Sequence, residues 1–176
     1  VGIRIQGRAG TSIGCEQILT VTVGQSHDAS LSLSKNKLNN VEPGTSDTLS
    51  VQITNQGNGM ETMSVGAEGL PPGWTVSFSQ TSVTVGSANS GNNRETVTAE
   101  VFVPEDASAV EDTVITFTVG RGGGSNPYDS KDLTVSVAAK HSVETSILST
   151  QQTGRSDQTV QFPIDVTNSG NIQDTF

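Results

Sequence analysis

The chain has almost no cysteine, since Cys15 is the only one among its 176 residues. A single thiol cannot form a disulfide within the chain, so folding has to rely on packing rather than on cross-links. A domain of about 100 residues or more buries enough surface to fold in this way. Cysteine usage leaves the redox compartment open, because one thiol is compatible with oxidising and with reducing surroundings.

Positive charge is also scarce. Nine Lys and Arg residues stand against eighteen Asp and Glu residues, which gives a formal net charge of −9, and the basic residues form no cluster. We therefore expect neither nucleic acid nor an anionic membrane surface as a partner, because both require a basic surface. No apolar run approaches the roughly 20 residues that cross a bilayer, so we expect no membrane span in these residues.

Helical periodicity is missing as well. Apolar residues nowhere recur at helical spacing over three turns, and the many Thr and Val residues favour strands. Short segments in which apolar and polar residues alternate are separated by turns of Gly, Pro and Asn, as in the stretch from Leu31 to Pro43. The pattern predicts an all-β protein, an antiparallel β-sandwich, with a closed barrel as the alternative.

Two stretches of the sequence return near its end. LTVTV at 19–23 reappears 114 residues later as LTVSV at 133–137, and VQITNQGN at 51–58 reappears 113 residues later as IDVTNSGN at 164–171. This period is too long for a propeller blade of about 40 to 50 residues and indicates tandem sandwich domains. We therefore interpret the chain as a window on a longer array.

The repeat divides the chain into three parts. Residues 25–138 are predicted to form one complete repeat, residues 1–24 the last strands of a preceding repeat, and residues 139–176 the first three strands of a following one, at 142–148, 159–167 and 173–176. The linkers at 24–28 and 138–141 are very short. Short linkers restrict bending between domains, so we expect a stiff rod.

Four motifs of the central repeat carry a family resemblance. They are VEPG at 41–44, VQITNQGN at 51–58, LPPGW at 70–74 and TVTAEVFVP at 96–104. In this order they resemble the immunoglobulin-like domains called NEW3, with the CARDB repeats as close cousins. The resemblance covers residues 29–138. It implies tandem immunoglobulin-like sandwiches in secreted or surface-anchored proteins of bacteria and archaea, and it implies no activity.

Candidate ligand sites are few. Asn126, Asp129 and Asp132 offer oxygen atoms at regular spacing in the loop before the last strand, which is a candidate calcium site. The alternative is an ordinary turn around Pro127 and Tyr128. No cofactor other than calcium is expected.

Three further side chains have two readings each. His27 and His141 lie 114 residues apart at the two repeat junctions. They either contact the neighbouring domain or respond to pH, or they are exposed linker residues, which is the interpretation we favour. Trp74 either stacks against a sugar ring or packs at the rim of the sandwich, and packing is favoured because few other aromatic side chains accompany it.

The sequence offers no nucleophile with an acid and base partner, so no enzymatic activity is expected. It predicts a structural repeat of an extracellular cell-surface or filament protein, such as an S-layer, fibre or adhesin, acting as a stiff spacer and assembly module. Other copies of the protein are the expected partners, through strand edges or end loops, and carbohydrate is a further candidate. The alternative is an accessory module beside a secreted carbohydrate-active or proteolytic enzyme.

Overall fold

The computed structural model describes residues 1–122 and 126–175, and within them it contains strands and no α-helix. The all-β prediction is confirmed. None of the described residues lies in a helix long and apolar enough to cross a membrane. The described strands, in chain order, are β1 (Gly2–Ala9), β2 (Ser12–Thr20), β3 (Ala29–Leu33), β4 (Lys37–Val41), β5 (Ser46–Asn55), β6 (Glu61–Glu68), β7 (Thr75–Phe78), β8 (Ser82–Val85), β9 (Arg94–Phe102), β10 (Thr113–Arg121), β11 (Asp129–Val137), β12 (Val143–Ile147) and β13 (Ile164–Asn168).

Strands β3 to β11 form a two-sheet sandwich. One sheet has the order β3-β5-β9-β7 and the other has the order β4-β11-β10-β6-β8. Apolar side chains alternate along each strand and meet between the sheets, where Phe78 and Phe117 make an edge-to-face contact with their ring centroids 5.8 Å apart. The strand order matches an immunoglobulin-like sandwich, in which the first strand divides between the two sheets.

One strand pair departs from the antiparallel expectation. β4 pairs with β11 in parallel, with Leu38 opposite Val135. The chain leaves the first sheet after β3 and joins the second through β4, where Asn40 adopts a positive φ of 53°. The sequence of β4 has too few apolar and β-branched residues to reveal it as a strand, and pairing with β11 creates it.

Trp74 lies at a corner between β6 and β7. Its exposed fraction is 8%, and its backbone N–H donates to the carbonyl of Pro71 at 3.2 Å. Gly73 has a φ of 82°, and a Cβ there would lie 3.3 Å from Pro104, which follows β9. The corner therefore folds against the end of β9, and the prediction that Trp74 packs at the rim is confirmed.

The two flanking segments are hairpins whose pairing copies that of the central sandwich. β12 pairs with β13 so that Val143 faces Asn168, as Ala29 faces Asn55 between β3 and β5. β1 pairs with β2 so that Ile3 faces Leu19. The corresponding pair between β10 and β11 is Ile115 with Leu133.

One strand expected in the following segment does not form. Residues 173–175 are irregular, although the sequence predicted a strand at 173–176. Their counterpart in the sandwich, the start of β6, is held between β10 and β8. Residues 139–175 contain no counterpart of either strand, so the segment lacks the backbone partners that a strand requires.

Candidate functional site

The two junctions share one structural motif, which we call the Asn turn. It has the sequence Asn-x-Gly-Asn and occupies residues 55–58, beginning at the last residue of β5, and residues 168–171, beginning at the last residue of β13. Each Asn turn lies against the linker that leads into its own repeat. The first linker is residues 21–28, between β2 and β3, and the second is residues 138–142, between β11 and β12.

The first asparagine of the motif fixes the shape of the turn. The Asn55 carboxamide oxygen accepts from the Gly57 N–H at 2.8 Å, and its Nδ2 donates to the carbonyls of Gly59 at 2.8 Å and Val85 at 3.3 Å. Asn168 repeats two of these bonds, with the Gly170 N–H at 2.9 Å and the Ile172 carbonyl at 2.7 Å. An asparagine that caps its own following backbone holds such a turn in one conformation.

The glycine of the motif leaves the space that the linker backbone occupies. A Cβ on Gly57 would collide with the carbonyl oxygen of Ser26, and a Cβ on Gly170 would collide with that of Lys140. Both colliding groups are linker backbone. A residue with a side chain at either glycine would therefore push the linker away from the turn.

The second asparagine of the motif binds the linker backbone through two side-chain hydrogen bonds, and we call this pair of bonds the clasp. At the first junction the Asn58 Oδ1 accepts from the Ser26 N–H at 2.8 Å, and its Nδ2 donates to the Gly24 carbonyl at 2.9 Å. At the second junction the Asn171 Oδ1 accepts from the Lys140 N–H at 2.7 Å, and its Nδ2 donates to the Ala138 carbonyl at 2.9 Å. The two clasps are the same in donors, acceptors and spacing.

At the second junction the clasp also reaches the preceding sandwich. The Asn171 Nδ2 donates to the carbonyl of Ala107 at 3.1 Å, and its backbone carbonyl accepts from the Ala109 N–H at 2.9 Å. Both alanines lie in the loop between β9 and β10. One asparagine thus contacts the preceding sandwich, the linker and the following repeat.

A buried acid lies beside the first clasp. Glu61 is 7% exposed, and its carboxylate accepts from the Tyr128 hydroxyl at 2.7 Å and lies 3.0 Å from Nδ1 of His27. Burial raises the pKa of Glu61, but the hydrogen bonds from Tyr128 and His27 and the nearby Arg121 together lower it below 4.5. The hydrogen bond to Glu61 in turn raises the pKa of Tyr128 above 10.0. The carboxylate ties the first linker to the loop before β11.

The structure shows what the two junction histidines contact. His27 contacts Glu61, and His141 lies 2.6 Å from the Asp174 carboxylate through the same ring nitrogen. Both are exposed residues of the linkers, as the favoured interpretation predicted, and each also bonds to an acid of its own repeat. Only the recurrence of the two histidines at the repeat period could have identified them from the sequence, since the acids they contact are more than 30 residues away.

The three candidate calcium ligands do not converge. Asp129 accepts from the N–H groups of Leu31 and Ser130, each at 2.8 Å. Burial raises the pKa of Asp129, but these bonds and Lys131 lower it below 3.8. Asp132 accepts from the Thr116 hydroxyl at 2.8 Å, and three positions apart on a strand it faces away from Asp129.

Asn126, the third candidate, is exposed in the loop before β11. Across residues 1–122 and 126–175 no three His, Cys, Asp or Glu side chains are grouped to hold a metal. Calcium at this loop stays a prediction, without geometric support.

Shallow clefts lie near the second junction and the Trp74 corner. A cleft of about 470 Å³ is bounded by Glu105, Asp106, Lys140 and the second Asn turn. Another of about 330 Å³ lies between Pro71, Trp74 and the loop before β10. Trp74 presents little of its ring there, so it offers no open aromatic face to a sugar.

Comparisons with known proteins find similarity only at the level of solved structures. Neither the protein-family models nor the curated proteins give a match. Domains 4 and 5 of the S-layer protein SbsC are similar with a TM-score of 0.43 and 22% identity, over 72% of this chain and 60% of that one. WR4, a C. elegans MSP family member, has a TM-score of 0.37 and 9% identity, over 61% of this chain and 97% of that one.

A third similar structure is a PapD-like domain of human CEP192, with a TM-score of 0.36 and 11% identity, over 61% of this chain and 84% of that one. The chain spans about 60% of the length of the SbsC structure. At these TM-scores the similarities assign neither a family nor a function.

Proposed function

We propose that this chain is a non-catalytic structural segment of a tandem array, a stiff spacer whose junctions are held by the Asn turns. The observation that carries the proposal is the clasp itself. Two linkers of different sequence are bound by the same two side-chain hydrogen bonds, from Asn58 and from Asn171. A loose tether would not require the same contacts twice.

The clasp limits bending by binding the linker backbone. Beside the side-chain bonds, the N–H groups of Gln56 and Gly57 donate to the carbonyl of Asp28 at 2.9 and 3.2 Å. The N–H groups of Ser169 and Gly170 donate to the carbonyl of Ser142 at 3.0 and 3.2 Å. Each such bond contributes about 0.5 to 1.5 kcal/mol. Several acting on one short linker oppose rotation about it.

The setting we propose is the surface of a cell or an extracellular filament, such as an S-layer, fibre or adhesin, with other copies of the protein as partners. The scattered acidic residues and the net charge of −9 suit a surface that stays soluble and does not bind polyanions.

The distance between spin labels across the second junction tests the spacer. In a Cys15→Ser background, labels at Ser82→Cys in the sandwich and Ser146→Cys on β12 report the angle between the two parts by double electron–electron resonance. We expect a narrow distance distribution. Asn171→Ala removes both side-chain bonds to the linker and the one side-chain bond to Ala107 in the sandwich, and we expect a clearly broader distance distribution.

Asn89→Ala is the matched control, because Asn89 is exposed in the loop before β9 and belongs to no junction. It should leave the distribution narrow. The line shape of the label on β12 separates a loosened junction from an unfolded hairpin. A distribution that is as broad without the Asn171 substitution as with it would refute the stiff spacer.

A further inference from the structure

The two clasps differ in the residue that follows their asparagine. Asn58 is followed by Gly59, and this is the only Asn-Gly pair in the 176 residues. The backbone nitrogen of such a glycine can attack the carboxamide carbon of the asparagine, because no side chain blocks its approach. Asn171 is followed by Ile172, whose branched side chain hinders the same attack. The two asparagines are therefore alike in their contacts with the linker but unlike in their chemical reactivity.

The first linker holds the Asn58 carboxamide at both of its polar atoms. Its Oδ1 accepts from the Ser26 N–H at 2.8 Å, and its Nδ2 donates to the Gly24 carbonyl at 2.9 Å. The backbone N–H of Asn58 also donates to the Ser26 hydroxyl at 3.2 Å. Attack at the carboxamide carbon makes that carbon tetrahedral and expels Nδ2. The reaction therefore requires the bond to Gly24 to break, which means that the clasp has to open.

The same linker also covers Gly59, the attacking residue. A Cβ on Gly59 would lie 2.6 Å from Nε2 of Gln25. Gln25 precedes Ser26, so the segment that binds Asn58 also packs against its neighbour. Among the residues that the structure describes, no backbone carbonyl accepts from the Gly59 N–H. Departure of the linker would therefore free the carboxamide and uncover the nitrogen together.

We propose that Asn58 is a site of spontaneous deamidation whose rate is set by the opening of the first clasp. Once the linker has left, the Gly59 nitrogen bonds to Cγ of Asn58, and the bond between Cγ and Nδ2 breaks. The proton lost from the Gly59 nitrogen passes through water to the leaving group, which departs as ammonia. Water then opens the cyclic imide at either of its carbonyl carbons, which leaves aspartate or isoaspartate at residue 58.

Neither product can rebuild the first clasp. In aspartate a carboxylate oxygen takes the place of Nδ2, and an ionised carboxylate accepts hydrogen bonds but cannot donate one to the Gly24 carbonyl. In isoaspartate the backbone runs through the former side-chain carbon, which also changes the path of the turn. Deamidation would thus make a reversible opening of the first junction permanent, while the second junction is spared.

This inference goes beyond the proposed function, because it adds a chemical modification to a contact. It requires the clasp at the first junction, and it requires neither a longer array nor a stiff second junction.

Comparing the folded chain with the same chain in urea measures the protection of Asn58. Peptide mass spectrometry follows the replacement of the amide by a carboxyl group at residue 58 over time. The two clasp bonds, at ordinary strength, should make the reaction about 5- to 150-fold slower in the folded chain. Asn171 is the internal reference in the same samples and should stay intact in both.

Gly57→Ala tests whether the linker is the source of the protection. Its added methyl group collides with the Ser26 carbonyl and displaces the linker, while Asn58 and Gly59 remain. We expect the folded variant to deamidate nearly as fast as it does in urea, and both chains to react equally fast in urea. Gly91→Ala is the matched control, because a Cβ there would meet no atom of the described residues within 4 Å. It should keep the slow rate.

Ile172→Gly tests the difference between the two clasps. It creates an Asn-Gly pair at the second Asn turn and keeps the backbone carbonyl that accepts from Asn168. In urea, Asn171 of this variant should deamidate about as fast as Asn58. Trp74 fluorescence in the absence of urea verifies that the sandwich of each variant is folded.

The aged chain tests the consequence for the junction. Deamidation adds a negative charge, so the product separates from the parent chain by anion exchange, and its linker amides should exchange hydrogen faster. Three results would overturn the inference: equal rates in the folded and the urea-unfolded chain, a slow rate in Gly57→Ala, or unchanged linker exchange after deamidation. The spacer proposal is judged separately, by the spin-label distances across the second junction. A broad distribution there, together with a protected Asn58, would refute the spacer and leave this inference standing.

Discussion

Replacing Asn55 by alanine should destabilise the sandwich more than replacing Asn58, which belongs to the same turn. Asn55 is fully buried, whereas Asn58 is exposed. Both side chains form hydrogen bonds to the backbone. The comparison therefore separates the cost of leaving buried groups without partners from the loss of hydrogen bonds that water can replace.

The magnitude follows from the groups that Asn55→Ala leaves behind. The Val85 carbonyl belongs to a buried residue and loses the carboxamide that donates to it, whereas the buried Gly57 N–H keeps the Asp28 carbonyl at 3.2 Å. Each buried group without a partner costs about 1 to 3 kcal/mol. The Gly59 carbonyl is half-buried and can turn to water. We expect a loss of about 1 to 3 kcal/mol from the free energy of unfolding, against about 1 kcal/mol or less for Asn58→Ala.

Chemical denaturation followed by Trp74 fluorescence measures both values. Trp74 is the only tryptophan of the chain, and it is buried at the corner of the sandwich, so its signal reports that unit alone. The midpoint of unfolding should shift, while the slope of the free energy of unfolding against denaturant concentration should stay the same in both variants. The reasoning fails if Asn55→Ala costs under about 1 kcal/mol, or if Asn58→Ala costs as much as Asn55→Ala.

Three further predictions concern the same region. Tyr128 is the only tyrosine, and ultraviolet titration of its phenol should give a pKa above 10.0 that returns toward 10.0 in Glu61→Gln; an unchanged value would contradict the hydrogen bond. Because the pKa of Glu61 is lower in the folded chain than its ordinary 4.5, its contribution to stability is present above that pH and is lost as the pH falls through the folded value. Denaturation at a series of acidic pH values should show that the free energy of unfolding depends less steeply on pH in Glu61→Gln. Gly57→Ala should displace the first linker, seen as faster hydrogen exchange of the Ser26 N–H, and unchanged exchange would refute the collision with Ser26.

Most of the strand positions could be predicted from alternation. The stretch from Thr48 to Thr54 alternates apolar and polar residues, and the structure places it in β5 with Leu49, Val51 and Ile53 buried. Alternation works because a strand turns successive side chains to opposite faces. The same rule overlooked β4, whose residues become a strand through pairing with β11.

The internal repeat predicted strands in the last hairpin, and their pairing follows that of the sandwich. The offset of VQITNQGN and IDVTNSGN fixes which residue of β13 corresponds to each residue of β5, and the observed register of β12 with β13 agrees with it. The expected third strand at 173–176 was wrong over the described residues 173–175, since a strand at that position requires neighbours that residues 139–175 do not contain. Local pattern marks a candidate strand, and partners decide whether it forms.

The sequence by itself determined the all-β class, the period of the repeat and the motif Asn-x-Gly-Asn, because these depend on alternation and on recurrence along the chain. Only the tertiary structure decided what the motif does. Asn58 meets Gly24 and Ser26 across more than 30 residues, and Glu61 joins His27 to Tyr128 across 34 and 67. Such contacts cannot be recognised from the spacing of residues in the sequence, because the residues are brought together by the folding of the strands that lie between them.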